Sequence, residues 1–295
     1  MQIQWYPGHM ARARRLLTDQ LSRVDVVIEL CDARLPRASR NPDLDTLCAR
    51  KRRIVVLGKA DLAEEGATRA WIAWLNAQGL DALPFAAPRG KPKHVLASIE
   101  RATREAVAHQ AARGVRKTVR AMVVGVPNVG KSTLINSLHG TAIAKTGDRP
   151  GVTRANQWVR ITPYLELLDT PGLLWPRLED EEAARRLAYL GTIRDQVIDQ
   201  ERLAASLLAD MLGPHEQAVA ARFHLKPPYG EGQALLENAC RGRGWLLTGG
   251  VLDTDRAAAV VLDEFRAGKL GRVTLERPPI APPKPGADKE QDDAR

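Results

Sequence analysis

Between Val119 and Leu138 the chain reads VRAMVVGVPNVGKSTLINSL, and everything else must fold around what this stretch requires. Gly125 to Ser132 fits G-x-x-x-x-G-K-[ST] at every fixed position. An apolar run, Ala121 to Val124, leads into it, and Leu134, Ile135 and Leu138 keep helical spacing behind it. A strand delivering such a loop to a helix separates a phosphate-binding loop from a glycine turn. Glycines let backbone N–H groups close around a polyphosphate, and the helix N-terminus adds its positive dipole end. The amides of Asn128, Val129, Gly130, Lys131, Ser132 and Thr133 are therefore expected to contact phosphate, with Lys131 reaching the outer groups and Ser132 ligating Mg2+. The ligand class is a nucleoside triphosphate.

A loop of this kind needs a mostly parallel α/β sheet, and the sequence supplies one. Val24–Leu30, Ile54–Leu57 and 82–85 read as strands, separated by helical patterns near 44–49, 68–78 and 94–117. Trp158–Ile161 and Tyr164–Leu168 read as a strand pair joined by a tight Thr162-Pro163 turn. Beyond Gly172 the pattern turns helical, with candidates at 181–190, 193–211, 215–223, 232–241 and 253–267, the last capped by Asp253 or Thr254. The expected division is 1–178, 179–277 and a disordered proline-rich tail at 278–295.

In doubly wound sheets ligands gather at the carboxyl ends of strands, and the remaining polar motifs fall there. Lys59-Ala60-Asp61 ends one strand, and Asp169-Thr170-Pro171-Gly172 ends another. Asp169 can complete the Mg2+ shell, the Gly172 N–H can donate to a terminal phosphate, and Thr153 can bring a hydroxyl to the same metal from a Pro-Gly-Val-Thr segment. Asp61 can accept from the ring N–H and exocyclic amine of guanine, a donor pair that adenine lacks on that edge.

The formal charge of +9 is unevenly spread: residues 1–60 carry 12 Lys and Arg against 6 Asp and Glu, and residues 91–120 carry 8 against 2. Such a surface suits RNA or another polyanion, or is a solvated basic face. No apolar segment approaches a membrane span and no signal-peptide core is present, so the expectation is a cytoplasmic protein without membrane contact. Cys31, Cys48 and Cys240 show no ligand spacing and suggest neither a disulfide nor a zinc site.

Taken together, the motifs resemble those of the translation-factor class of small GTPases, but in a different order. The base-recognition motif (58–61) and base loop (85–90) precede the phosphate loop (125–132), the switch threonine (153) and DTPG (169–172). That order resembles the circularly permuted GTPases. The Trp5-Tyr6-Pro7-Gly8-His9-Met10 opening and Asp32-Ala33-Arg34 are similar to the bacterial ribosome biogenesis GTPase A family over about residues 1–270. The resemblance implies a permuted P-loop GTPase domain with a C-terminal all-helical RNA-binding domain. It also implies a monomer that acts on the precursor of the large ribosomal subunit late in its assembly. The nucleotide contacts it implies are Gly58, Lys59, Asp61, Ala86, Ala87, the residues 128–133 and Gly172.

Three residues follow from the resemblance or depart from it. Leu173 stands where many small GTPases carry a water-orienting glutamine, and the family's N-terminal motif points to His9 in that role. Asn128 implies a K+ ligand, as in potassium-activated relatives. Gly58 occupies the place of the asparagine in Asn-Lys-x-Asp, which implies weaker nucleotide binding with guanine preference retained. If Gly58 and Leu173 weaken turnover far enough, the alternative is a nucleotide-gated binding module that hydrolyses little; a P-loop kinase or ATPase is a further rival, against which Asp61 and the DTPG motif speak. If the C-terminal helices bind RNA, Arg241, Arg243, Arg266, Lys269 and Arg272 must share a face, because residues 213–280 carry only 9 basic against 8 acidic side chains. The DTPG motif runs straight into those helices, so loss of the third phosphate is expected to reorient them through a short lever.

Overall fold

A computed structural model describes residues 15, 17–87, 93–140, 157–170, 181–193 and 198–279. The expectations on His9, Pro88 to Gly90, Thr153 and Pro171 to Trp175 lie outside the described residues, as does the Mg2+ role of Thr153 and the phosphate contact of Gly172.

Six strands form one sheet: β1 (Val26–Asp32), β2 (Arg52–Gly58), β3 (Asp81–Pro84), β4 (Val119–Val124), β5 (Gln157–Thr162) and β6 (Leu165–Asp169). Their order is β3-β2-β1-β4-β6-β5, with β5 antiparallel and every other pair parallel. The first strand in sequence therefore lies at the centre, beside the strand that carries the phosphate loop. β1 is buried along its whole length, as a central parallel strand covered on both faces should be. Its one acid, Glu29, is 1% exposed and held by Arg40 at 3.4 Å, Arg53 at 3.6 Å and the Asn41 amide.

The helices are α1 (Pro36–Ser39), α2 (Asp43–Leu47), α3 (Glu65–Ala77), α4 (Lys93–Ala111), α5 (Lys131–His139), α6 (Glu181–Tyr189), α7 (Gln200–Phe223), α8 (Gln233–Arg243) and α9 (Thr254–Arg266). The sequence breaks the α7 region at 212–214, and the chain there bends rather than ends. Pro214 sits inside the helix, and His215 leaves helical geometry with φ −134° and ψ 31°. Asp253 caps α9 by accepting from the Arg256 amide at 3.1 Å.

The helical part does not hang from the sheet by a linker alone. One continuous buried cluster runs from Ile28 and Leu30 in the sheet through Leu187 and Tyr189 to Leu207, Leu236 and Phe265. After α9 the chain returns to the sheet half: Val273 N–H donates to the Leu62 carbonyl and Leu275 N–H to the Arg34 carbonyl, both at 2.9 Å. Glu276 accepts from the amides of Arg37 and Ala38, covering the N-terminus of α1, and its own carbonyl accepts from the Trp71 indole at 3.0 Å. Residues 273–277 thus belong physically to the sheet half, although they follow the helices in sequence. Among the described residues no helix is long and apolar enough to cross a membrane.

Candidate nucleotide site

β4 stops at Val124 and α5 starts at Lys131, so the intervening loop must turn within six residues. Two residues make this possible with positive φ: Asn128 at 60° and Gly130 at 106°. Gly125 is needed for a different reason, since a Cβ there would lie 2.5 Å from the Leu30 carbonyl oxygen. Val126 and Val129 point into the core and pin the loop's back.

The polar groups at the loop converge. Lys131, 6% exposed, donates from Nζ to the carbonyls of Gly125 at 3.1 Å and Val126 at 3.0 Å. Burial pushes its ammonium down to about 8, against the opposing pull of Asp169. The Ser132 hydroxyl stands 3.4 Å from Asp169 Oδ2, so a hydroxyl and a carboxylate from two elements meet as hard oxygen donors, the set that suits Mg2+. The Thr170 hydroxyl donates to the Val123 carbonyl at 2.6 Å and fixes the β6 end against β4. Thr133 accepts from Ser137 through its carbonyl within the first turns of α5.

The segment from Gly58 to Asp61, expected to recognise the base, lies beside this site. Lys59, itself at φ 53°, reaches across to the Asn128 carbonyl at 3.0 Å and braces the phosphate loop from the β2 side. A Cβ at Gly58 would lie 3.6 Å from the Val129 carbonyl oxygen, so the position expected for asparagine does face the phosphate loop. The same Cβ would press on Leu30 Cδ1 at 3.1 Å and the Cys31 carbonyl at 3.3 Å, and glycine relieves that crowding. Asp61 is partly exposed in the turn that follows, and Ala86 and Ala87 are partly exposed after β3. The two loops are joined by the Ala60 N–H to Phe85 carbonyl bond at 3.1 Å.

These motifs, in permuted order on one sheet, are matched by known proteins. The model of the 50S ribosome-binding GTPase family fits residues 120–220, which starts at the phosphate-loop strand and leaves the base motif upstream. A Bacillus cereus protein named ribosome biogenesis GTPase A is 44% identical over 280 residues, covering 94% of this chain and 95% of that one. The chain belongs to the ribosome biogenesis GTPase A family. Two solved structures of the Thermotoga maritima protein YlqF, one GDP-bound and one GNP-bound, superpose on this GTPase with TM-scores of 0.65 and 0.62 at 29% identity; they cover 90% of this chain and 99% and 98% of theirs.

The structure of this GTPase also contains contacts that the motifs do not announce. Asn128 donates from Nδ2 to the Gly191 carbonyl at 2.7 Å, so the phosphate loop touches the helical part directly. Gly191, at φ 68°, follows the end of α6, and a Cβ there would sit 3.2 Å from Arg266 Nε. Arg266 in turn donates to the carbonyls of Tyr189 at 3.1 Å and Ala188 at 3.2 Å, covering the C-terminus of α6.

Asp32 and Arg34 form a second bridge. Both are buried and paired through two bonds, Arg34 Nε to Oδ1 at 2.9 Å and the second nitrogen to Oδ2 at 2.8 Å. The Arg34 N–H also donates to Oδ1 at 3.0 Å, and Lys59 adds a further contact to Asp32 at 3.2 Å. Burial opposes ionisation of Asp32, but the charges of Arg34 and Lys59 outweigh it and hold the carboxyl well below the usual range. The other end of Arg34 donates to the Phe265 carbonyl at 2.5 Å and stacks on the Phe265 ring. Lys59, Asp32, Arg34 and α9 therefore form one continuous chain of contacts from the nucleotide loops to the helices.

Of the five cations expected to share an RNA face, three make contacts within the protein. Arg266 is turned into the interface, Arg243 donates to the Arg222 carbonyl and lies over Trp245, and Arg241 pairs with Glu237. Cys31, Cys48 and Cys240 are buried in the core.

Proposed function

We propose that this GTPase acts in late maturation of the large ribosomal subunit, engaging the precursor particle as a cytoplasmic monomer in a GTP-dependent way. The observation that carries the reading is the Asn128–Gly191 bond: a group of the phosphate loop is held by the first residues beyond α6, so nucleotide state and helix placement are mechanically linked. Asn128, Val129, Gly130, Lys131, Ser132 and Thr133 hold the phosphates; Asp61, with Lys59, Ala86 and Ala87, reads guanine. Ser132 and Asp169, with Thr153, would hold Mg2+, which would supply positive charge at the phosphates. Asn128 would hold K+, which would supply further positive charge, and Gly172 would donate to the terminal phosphate. His9 orients the attacking water, because Leu173 cannot.

The test is GTP turnover in KCl with and without large ribosomal subunits. Stimulation by the particle, lost in His9→Ala with GTP binding retained, supports the reading. Absence of stimulation in the unmodified protein contradicts it and leaves a nucleotide-gated binding module.

A further inference from the structure

Parts of the two basic stretches of the sequence, residues 23–25 and 50–53 from one and 113–120 from the other, lie at the end of the sheet opposite the nucleotide loops. They lead into the amino ends of the parallel strands: 23–25 into β1, 50–53 into β2, and 113–120 into β4. Contacts tie them into one surface. Asp25 accepts from the Arg120 amide at 3.0 Å and pairs with Lys117 at 2.8 Å; Lys51 donates to the Val24 carbonyl at 2.7 Å; Arg52 pairs with Glu105 of α4 at 3.2 Å. Within this surface Arg23, Arg50, Arg104, Arg113 and Arg116 are exposed and have no acidic partner among the described residues.

Beside them runs a groove of about 980 Å³ between α4 and the β5–β6 turn. Its floor is apolar, including Ile99, Val107 and Leu165, while Arg104, Arg116 and Lys117 stand at it against one acid, Glu100. Tyr164, 55% exposed, forms its rim, held in place by the Val119 N–H bond to its carbonyl at 2.8 Å. Unpaired cations follow a phosphate backbone, and an exposed aromatic ring beside an apolar floor accepts bases that have left a stack.

We propose that this end of the sheet is an RNA-docking surface: Arg104, Arg113 and Arg116 contact phosphates of an unpaired RNA segment, and a base stacks on Tyr164 over the groove. The charge excess of the rim selects a polyanion, and the exposed arginines beyond the groove add to the same charge. The surface deepens the proposed function, since the ribosomal particle supplies the RNA. It also gives the protein a grip on the particle that lies away from the nucleotide.

The test uses the full chain and two probes, deproteinised large-subunit rRNA and a single-stranded RNA oligomer with its duplex counterpart. In the triple variant Arg104→Gln, Arg113→Gln, Arg116→Gln the plot of log affinity against log salt becomes shallower by about 2, while GDP affinity is unchanged. Tyr164→Ala weakens binding of the single strand about 5- to 150-fold without changing that slope, and affects the duplex less. Wild-type slope and affinity in the triple variant overturn the proposal. So does loss of particle binding with rRNA binding intact, which would mark the groove as a site for an acidic protein segment. Particle-stimulated turnover that persists while the RNA surface fails would leave the proposed function standing without this surface.

Discussion

Asn128 of the phosphate loop and Gly191 of the helical part are joined by a 2.7 Å hydrogen bond from carboxamide to carbonyl. In a GTPase of ordinary order, the base-recognition half would separate the switch from the C-terminus. Here the permutation places the helices next after the switch, and the phosphate loop itself touches them. Asn128→Ala removes the bond, which costs about 1 kcal/mol of coupling. The expected outcome is that the difference in hydrogen exchange between GDP and GTP-analogue states over 181–193 shrinks. Equal differences in the variant and the unmodified protein would show that the bond transmits nothing. If Asn128 is also the K+ ligand, turnover in the variant becomes the same in NaCl and KCl.

Arg34 holds the second bridge. Arg34→Ala leaves the buried Asp32 carboxylate with Lys59 and the residue-34 amide only and uncovers the end of α9, at a cost of about 3 kcal/mol. The expected fall in Tm is roughly 5–10 °C by calorimetry. Arg34→Lys restores little of it, because an ammonium cannot make two parallel bonds to Asp32 and still reach Phe265. The pH dependence has a definite sign. Asp32 titrates lower in the folded chain than in the unfolded one, so its stabilisation is present above about pH 4 and lost as the pH falls below that. The acid limb of the stability curve becomes flatter in Arg34→Ala.

Lys131 gives a prediction on the alkaline side. Its ammonium is pushed down to about 8 by burial, below the unfolded value of 10.5. Folding stability therefore gains from this group as the pH rises from about 8 towards 10.5, and is flat in it below 8. Phosphate beside Lys131 favours the charged form, so nucleotide binding takes up a proton above pH 8. Affinity for GDP then falls by up to about tenfold per pH unit in that range. Calorimetry of GDP binding in buffers of different ionisation enthalpy reads the proton uptake directly; none at pH 9 would contradict the assignment.

Gly58 tests the departure from Asn-Lys-x-Asp. An asparagine there faces the Val129 carbonyl of the phosphate loop, so Gly58→Asn is expected to tighten GDP binding at least about 5-fold. It also crowds Leu30 and the Cys31 carbonyl, so Tm falls at the same time. Fluorescent GDP titration and a melting curve separate the two effects. Unchanged affinity would mean that Gly58 costs the site nothing.

The convergence of the candidate site's polar groups was legible because it follows from residue types at strand ends: Lys131 and Ser132 after β4, Asp169 at the end of β6, Lys59 after β2. The strands were legible from their apolar runs, and even the bend at Pro214 shows as a break in helical pattern. The contacts between halves were not. Asn128 bonds to a backbone carbonyl, and Arg34 and Arg266 cover helix ends, where the partner is a main-chain oxygen that any residue would supply. Residues 273–277 attach largely through backbone bonds and the Glu276 carboxylate, which leave no periodic signal, so the segment reads as the end of the helical part. Arg266 looked like a candidate for an RNA face for the same reason: sequence shows its charge but not the carbonyls it covers.

The most direct measurement is co-sedimentation of the full chain with large ribosomal subunits at fixed salt, with a non-hydrolysable GTP analogue or with GDP. The account predicts tight association in the analogue state, and release with GDP. Equal association in both states would contradict it, because nucleotide state would then leave particle binding unchanged.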